Sequence, residues 1–115
     1  MIKKQDRVKK HEEFQKIIHS KNLEKNNAYI VYYQKNDINT ARVGISVSKK
    51  LGNAVIRNKT KRQVRHIVHN VVDKNKGVDL VIIVRANYQK NIFSENQQLM
   101  EDILKKIGRK IDEQN

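Results

Sequence analysis

The chain contains no cysteine, which excludes disulfides and thiolate-held metals and is compatible with a reducing cytoplasm, the expected location. Proline is also absent, and no functional meaning attaches to that absence. No run approaches the roughly 18 apolar residues that a membrane span requires. The opening stretch from Met1 to Lys10 lacks the apolar centre of a secretory signal, so no membrane-inserted segment is expected. The scarcest commodity is negative charge: 12 Asp and Glu stand against 25 Lys and Arg, a formal net charge of +13. Between Asp37 and Asp73 there is no acidic residue at all.

What remains is a chain of 115 residues, 37% hydrophobic and 32% charged. That length and composition fit one folded domain, residues 1–115, with a modest core. A compact domain carrying so one-sided a charge repels itself, so an anionic partner is expected to neutralise it. Nucleic acid, an anionic membrane surface and an acidic protein are the classes that qualify.

An opening basic stretch (Lys3, Lys4, Arg7, Lys9, Lys10) leads into a short helix with Phe14, Ile17 and Ile18 on one face. Ala28 to Gln34, reading AYIVYYQ, is β-branched and aromatic and predicts a strand. Lys35 to Asn39 reads as a hairpin turn into a second strand, Ala41 to Ser48. Lys49 to Asn53 forms a loop pivoting on Gly52. A longer helix from about Ala54 to Val72 carries an apolar stripe of Val64, Ile67, Val68 and Val71 and stops at Asn75 to Gly77. Val78 to Val84 is almost continuously apolar, as expected of a strand in mid-sheet or covered on both faces. The last helix opens on a possible capping box, Ser94 to Gln97, and buries Leu99, Ile103, Leu104, Ile107 and Ile111. This order predicts an α+β fold, a small sheet with helices packed on it.

The acid-free stretch holds Arg42, Lys49, Lys50, Arg57, Lys59, Lys61, Arg62 and Arg65. At about 100° per residue, Asn58, Lys61, Arg62, Arg65 and His69 share one helical face beside the apolar stripe. Arg57, nearly in line with that stripe, is expected to reach along the sheet. Most charge runs are solvated faces, but solvated helices usually pair opposite charges at i,i+4, and none is available here. Phosphates are the natural compensator.

Lys49 to Arg65 reads KKLGNAVIRNKTKRQVR: a basic pair, G-N-A-V, then R-N-x-x-K-R-x-x-R on a helix. This string resembles the signature of the bacterial ribonuclease P protein family. The flanks resemble it too: F-Q-K-I in the first helix, a Y-x-x-Y strand, R-V-G-I-S-V-S before the signature and V-I-I-V-R after it. The likeness covers most of the chain, the final helix matching in pattern only. Two positions depart: His66 stands where an acidic or amide residue is frequent, and Ile18 where an aromatic is common.

The resemblance implies a single-domain α/β sandwich with three helices, element order α-β-β-β-α-β-α with a short first strand, and a left-handed βαβ crossover. It implies a subunit that assists a catalytic RNA in removing the 5′ leader of precursor tRNA. Lys49, Lys50, Asn53, Arg57, Asn58, Lys61, Arg62 and Arg65 would meet the catalytic RNA. Phe14, Ile18, Ile30, Tyr32 and Ser46 would line a cleft for the single-stranded leader, where aromatic platforms stack on bases without reading sequence. Core packing is the competing role for the two aromatics; the likeness favours the cleft for Tyr32 and leaves Phe14 open. The partners implied are ribonuclease P RNA and precursor tRNA, with no obligate protein partner, no cofactor held by the protein alone, and Mg2+ for the RNA-catalysed reaction.

No catalytic or metal site of the protein's own is expected. His66 and His69 lack an evident third ligand, and Asp73, Asp79, Glu101 and Asp102 read as surface carboxylates, whereas phosphodiester hydrolysis by protein usually needs a carboxylate–metal cluster or an acid–base pair. The rival readings are a ribosomal protein, which would lack the signature, a nucleoid-type DNA binder, which would prefer duplex DNA, and a protein-only nuclease, which would cleave without RNA.

Overall fold

The computed structural model describes residues 11–113; the opening basic stretch lies outside them. The elements run α1 (His11–His19), β1 (Leu23–Lys25), β2 (Tyr29–Lys35), β3 (Arg42–Val47), α2 (Ala54–Val71), β4 (Val78–Val84) and α3 (Phe93–Glu113), with short 3-10 turns at Lys49–Leu51 and Ala86–Lys90. This is the expected α-β-β-β-α-β-α order with a short first strand. In α1, Glu12 and Glu13 at the start and Lys16 and His19 at the end complement the helix dipole. Lys21, in the left-handed region at φ 64°, turns the chain out of it.

The sheet order is β1-β2-β4-β3. β4 therefore lies between β2 and β3, antiparallel to the first and parallel to the second. This corrects the expected hairpin: residues 36–41 link two strands that never pair with each other. Local turn residues cannot distinguish a hairpin from a link that leaves room for a third strand. The deciding term is burial, because the nearly continuous apolar run of β4 is satisfied only at a position covered on both faces. Asn36 secures the link instead, its amide donating to the Thr40 carbonyl at 3.0 Å and to Asp79 at 2.8 Å.

Strand alternation divides the sheet into two faces. Tyr29, Val31 and Tyr33, with Val43, Val47, Leu80, Ile82 and Val84, face α2 and α3 and form the main core. From α2 the buried residues are Thr60, Val64, Ile67 and Val68, with Val71 packed at the margin. From α3 they are Asn96, Met100, Ile103, Ile107 and Ile111, while Leu99 and Leu104 are only partly covered. Asn96 is buried because it closes a polar network: its amide donates to the Tyr88 carbonyl at 3.0 Å, and its own carbonyl accepts from the Tyr29 hydroxyl at 2.9 Å. Burial pushes the pKa of Tyr88 up to about 12, so this phenol stays protonated. Helix α3 begins at Phe93, which places Ser94 inside the first turn rather than ahead of it; the expected capping box is not the start of the helix.

The opposite face carries α1, with Ile17 and Val81 buried at its centre and Phe14, Ile18, Tyr32 and Ile83 around them. Arg42 ties this layer down. Its guanidinium meets Asp79 through two bonds, at 3.0 and 3.1 Å, and also pairs with Glu13 of α1. The Asp79 bonds foremost, with those to Glu13, hold Arg42 well above the ordinary arginine range against the opposing effect of partial burial. Asp79 is thus an ion-paired residue on the α1 side, not the surface carboxylate expected. Replacing Arg42 with Ala removes the polar tether between α1, β3 and β4 and is expected to cost roughly 1–3 kcal/mol, lowering the melting temperature by several degrees. An unchanged thermal melt would mean that Ile17 and Phe14 alone hold α1 in place.

Candidate nucleic-acid interface

The signature segment begins where β3 ends. Ser48 caps the first 3-10 turn, accepting from the Lys50 backbone N–H at 3.1 Å. Leu51 is buried, so it anchors the turn while Lys49 and Lys50 remain exposed. Gly52 then adopts φ 140°, which side chains rarely tolerate, and a Cβ there would stand 2.9 Å from Ile56 Cδ1. Asn53 is the N-cap of α2, its Oδ1 accepting from the Ile56 N–H at 3.1 Å. Asn53 is therefore oriented by the helix it caps, and its amide NH2 takes no part in that cap.

Along α2, Asn58 and Arg62 are exposed and Arg57, Lys61 and Arg65 half-buried. Arg57 has its Nε buried and without a hydrogen-bond partner among the described residues. The ion pairs of the described residues join Arg42 to Glu13 and Asp79, Lys76 to Asp112, Lys105 to Glu101 and Lys110 to Glu24. None of them engages Lys49, Lys50, Lys61 or Arg62. Desolvation, then the nearby charges of Lys74 and His66, hold His69 below the usual histidine range, so it contributes polarity rather than charge near neutrality. Among the described residues no group of three or more His, Asp or Glu is placed to hold a metal ion.

The second candidate surface is the sheet face under α1. Strand register lays its residues out in rows. Arg42 and Asp79 are adjacent with Gln34; Gly44 and Val81 are adjacent with Tyr32; Ser46 and Ile83 are adjacent with Ile30. Helix α1 packs on the second row through Ile17 and is tethered to the first by the Glu13–Arg42 pair. Phe14 lies directly on Gly44, where an added Cβ would come within 2.5 Å of its ring, so only glycine admits the ring so close to the strand. The third row is only partly covered, Ile83 touching the Ile17–Val81 cluster while Ser46 stays exposed. Above it opens a cleft of about 420 Å3 walled by His11, Phe14, Gln15 and Ile18 of α1 and floored by Ser46 and Ile83.

Of the five residues expected in a leader cleft, the structure brings Phe14, Ile18 and Ser46 into one hollow and sets Ile30 beside its floor. Tyr32 lies a row deeper, half-buried in the Ile17–Val81 cluster, so core packing is part of its role. Ile83, His11 and Gln15 were not expected here. Ile83 was legible in principle, since alternation along β4 puts Asp79, Val81 and Ile83 on one face. Lys25 of β1, in register with Ile30, adds an exposed cation at the end of the same row. The two surfaces are joined by the chain itself, which passes from Ser46 in the cleft floor through Ser48 into the exposed Lys49 and Lys50.

Comparison with known proteins gives one consistent result. A family model described as Ribonuclease P matches residues 2–108. The chain is 42% identical over 99 residues to the ribonuclease P protein component of Mesoplasma florum, covering 84% of this chain and 90% of that one. A solved structure of the Staphylococcus aureus RNase P protein superposes with a TM-score of 0.75 at 36% identity, over 86% of this chain and 92% of the other. That of Thermotoga maritima gives 0.77 at 30% identity, over 87% and 96%.

Proposed function

The chain belongs to the ribonuclease P protein family, and from that membership we propose that it is the protein subunit of a ribonuclease P that binds both the catalytic RNA and the 5′ leader of precursor tRNA. The observation that carries this reading is the junction at the end of β3. There an apolar cleft runs into the exposed Lys49 and Lys50, which none of the ion pairs among the described residues engages. Lys49, Lys50, Asn53, Arg57, Asn58, Lys61, Arg62 and Arg65 form the surface for the catalytic RNA. Lys and Arg answer phosphates, and the amides of Asn53 and Asn58 answer sugar or base edges.

The leader lies in the cleft between α1 and the third row of the sheet. Phe14 and the edge of Tyr32 offer rings to its bases, Ile18, Ile30 and Ile83 offer apolar walls, and Ser46 and Lys25 face its backbone. A surface built of stacking and phosphate contacts accepts many leader sequences. Catalysis is carried by the RNA, with Mg2+ held there. The protein's part is to lower the electrostatic cost of bringing two polyanions together and to fix the leader relative to the cleavage point.

The test is reconstitution. Protein purified free of RNA is expected to leave precursor tRNA intact, and addition of ribonuclease P RNA with Mg2+ at near-physiological salt is expected to produce cleavage at the mature 5′ end. Specific 5′ processing by the RNA-free protein would overturn the reading.

A further inference from the structure

One side of α2 lies outside the core and shares only Arg62 with the signature face. At about 100° per residue, Val55, Lys59, Arg62 and His66 form a stripe beside that face, and His66 brings the stripe up to the start of α3. There the His66 and Phe93 rings sit with centroids 6.2 Å apart and planes tilted by 36°. The exposed large apolar residues concentrate here: Val55 is 76% exposed, Ile56 42%, Ile92 71% and Phe93 43%. Ile56 and Phe93 are walls of one hollow of about 380 Å3 that no carboxylate lines.

The hollow's polar groups are held in place. Gln63 Oε1 accepts from the Tyr88 hydroxyl at 3.0 Å, a bond that does not use its NH2 donor. The Gln89 NH2 donates to the Leu51 carbonyl at 2.6 Å, which leaves its oxygen as an acceptor. An exposed ring beside fixed amide donors and acceptors, with Lys59 at the rim, matches an unstacked nucleobase and its phosphate. Charge argues against a second copy of the chain, which would bring Lys59, Arg62 and Lys90 against themselves in a protein of net charge +13. Arg62 belongs to both surfaces, so a strand on the signature face could turn a base into this hollow without a break.

We propose that the hollow between α2 and the start of α3 binds one unpaired base of the partner RNA, stacked on Phe93 beside His66, with Lys59 and Arg62 on the adjoining phosphates. This rests on the RNA-binding reading of α2 and adds to it a base contact outside the signature. The test compares the full chain with Phe93→Ala, Phe93→Leu and Phe93→Tyr for binding to ribonuclease P RNA across a salt series. Loss of the ring, to Ala or to Leu, is expected to weaken binding about fivefold or more. The slope of affinity against salt should not change, because no phosphate contact is lost; Tyr should bind as the wild type does.

The two readings fail separately. If the wild-type chain does not bind this RNA, or Lys61→Ala with Arg62→Ala leaves the salt slope unchanged, the RNA-binding reading falls and the base site falls with it. If those controls behave as expected and the Ala and Leu variants bind like wild type, the base site alone is overturned. A Leu variant that binds normally where Ala does not would show that apolar bulk suffices there, which overturns a stacked base. A wild-type dimer lost on Phe93→Ala would assign it to a second copy. Should the Ala variant lose the helical fold, the Leu variant carries the comparison.

Discussion

Replacing Lys61 and Arg62 together with alanine is expected to flatten the dependence of RNA affinity on salt by about 1.4 to 1.8 units in the log–log slope, two phosphate contacts at about 0.7–0.9 each. Both cations lie on the outward part of α2 and neither is taken up by an ion pair among the described residues. Their charge is therefore available to displace counterions from a nucleic acid. The helix itself should not suffer, because Thr60, Val64, Ile67 and Val68 carry its packing and the substitutions remove like charges spaced along one face. Binding isotherms across a salt series test this. An unchanged slope, with affinity lowered or not, would mean that these residues face solvent in the complex.

Tyr32→Ala is expected to weaken binding of precursor tRNA by the reconstituted enzyme about 5- to 150-fold, the range of a lost base–aromatic stack, while mature tRNA binds almost as before. The structure complicates this substitution in a definite way: Tyr32 also packs against the Ile17–Val81 cluster, so the variant is expected to melt lower as well. Ser46→Glu separates the two effects. Ser46 is exposed on the cleft floor, and a carboxylate there leaves the cluster untouched while repelling a leader phosphate, for an expected loss on the order of tenfold for precursor alone. Ile18→Phe adds a ring to a wall that faces open space and is expected to tighten precursor binding. The comparison is internal, precursor against mature tRNA in the same enzyme and salt. Equal weakening of both by Tyr32→Ala and by Ser46→Glu would place the leader elsewhere.

The elements whose position depends on their own residues were legible in the sequence. The α2 stripe of Val64, Ile67 and Val68 predicts its own burial, and the apolar run of β4 predicts a strand covered on both faces. The hairpin failed because strand adjacency is a global choice: nothing in Lys35 to Asn39 records that β4 will insert between its neighbours. Asn96 and Met100 were missed in α3 for a related reason. Asn96 is buried where it closes a polar network with Tyr29, far away in the sequence, and with Tyr88 in the turn before the helix, a pairing that helical periodicity does not record. At the site, the cations of the signature were visible because an acid-free stretch is a one-dimensional property. The cleft floor was only partly visible, since Ser46 and Ile30 meet through Ile83, a register that depends on the same insertion of β4.

The RNA that accompanies the chain when it is purified from its own cells at moderate salt bears most directly on its role. Sequencing that RNA is expected to show one structured species, ribonuclease P RNA, as the dominant partner of the wild-type chain, with its share falling sharply for the Lys61→Ala, Arg62→Ala variant. Recovery of ribosomal RNA in its place, or of no enriched RNA at all, would contradict the account.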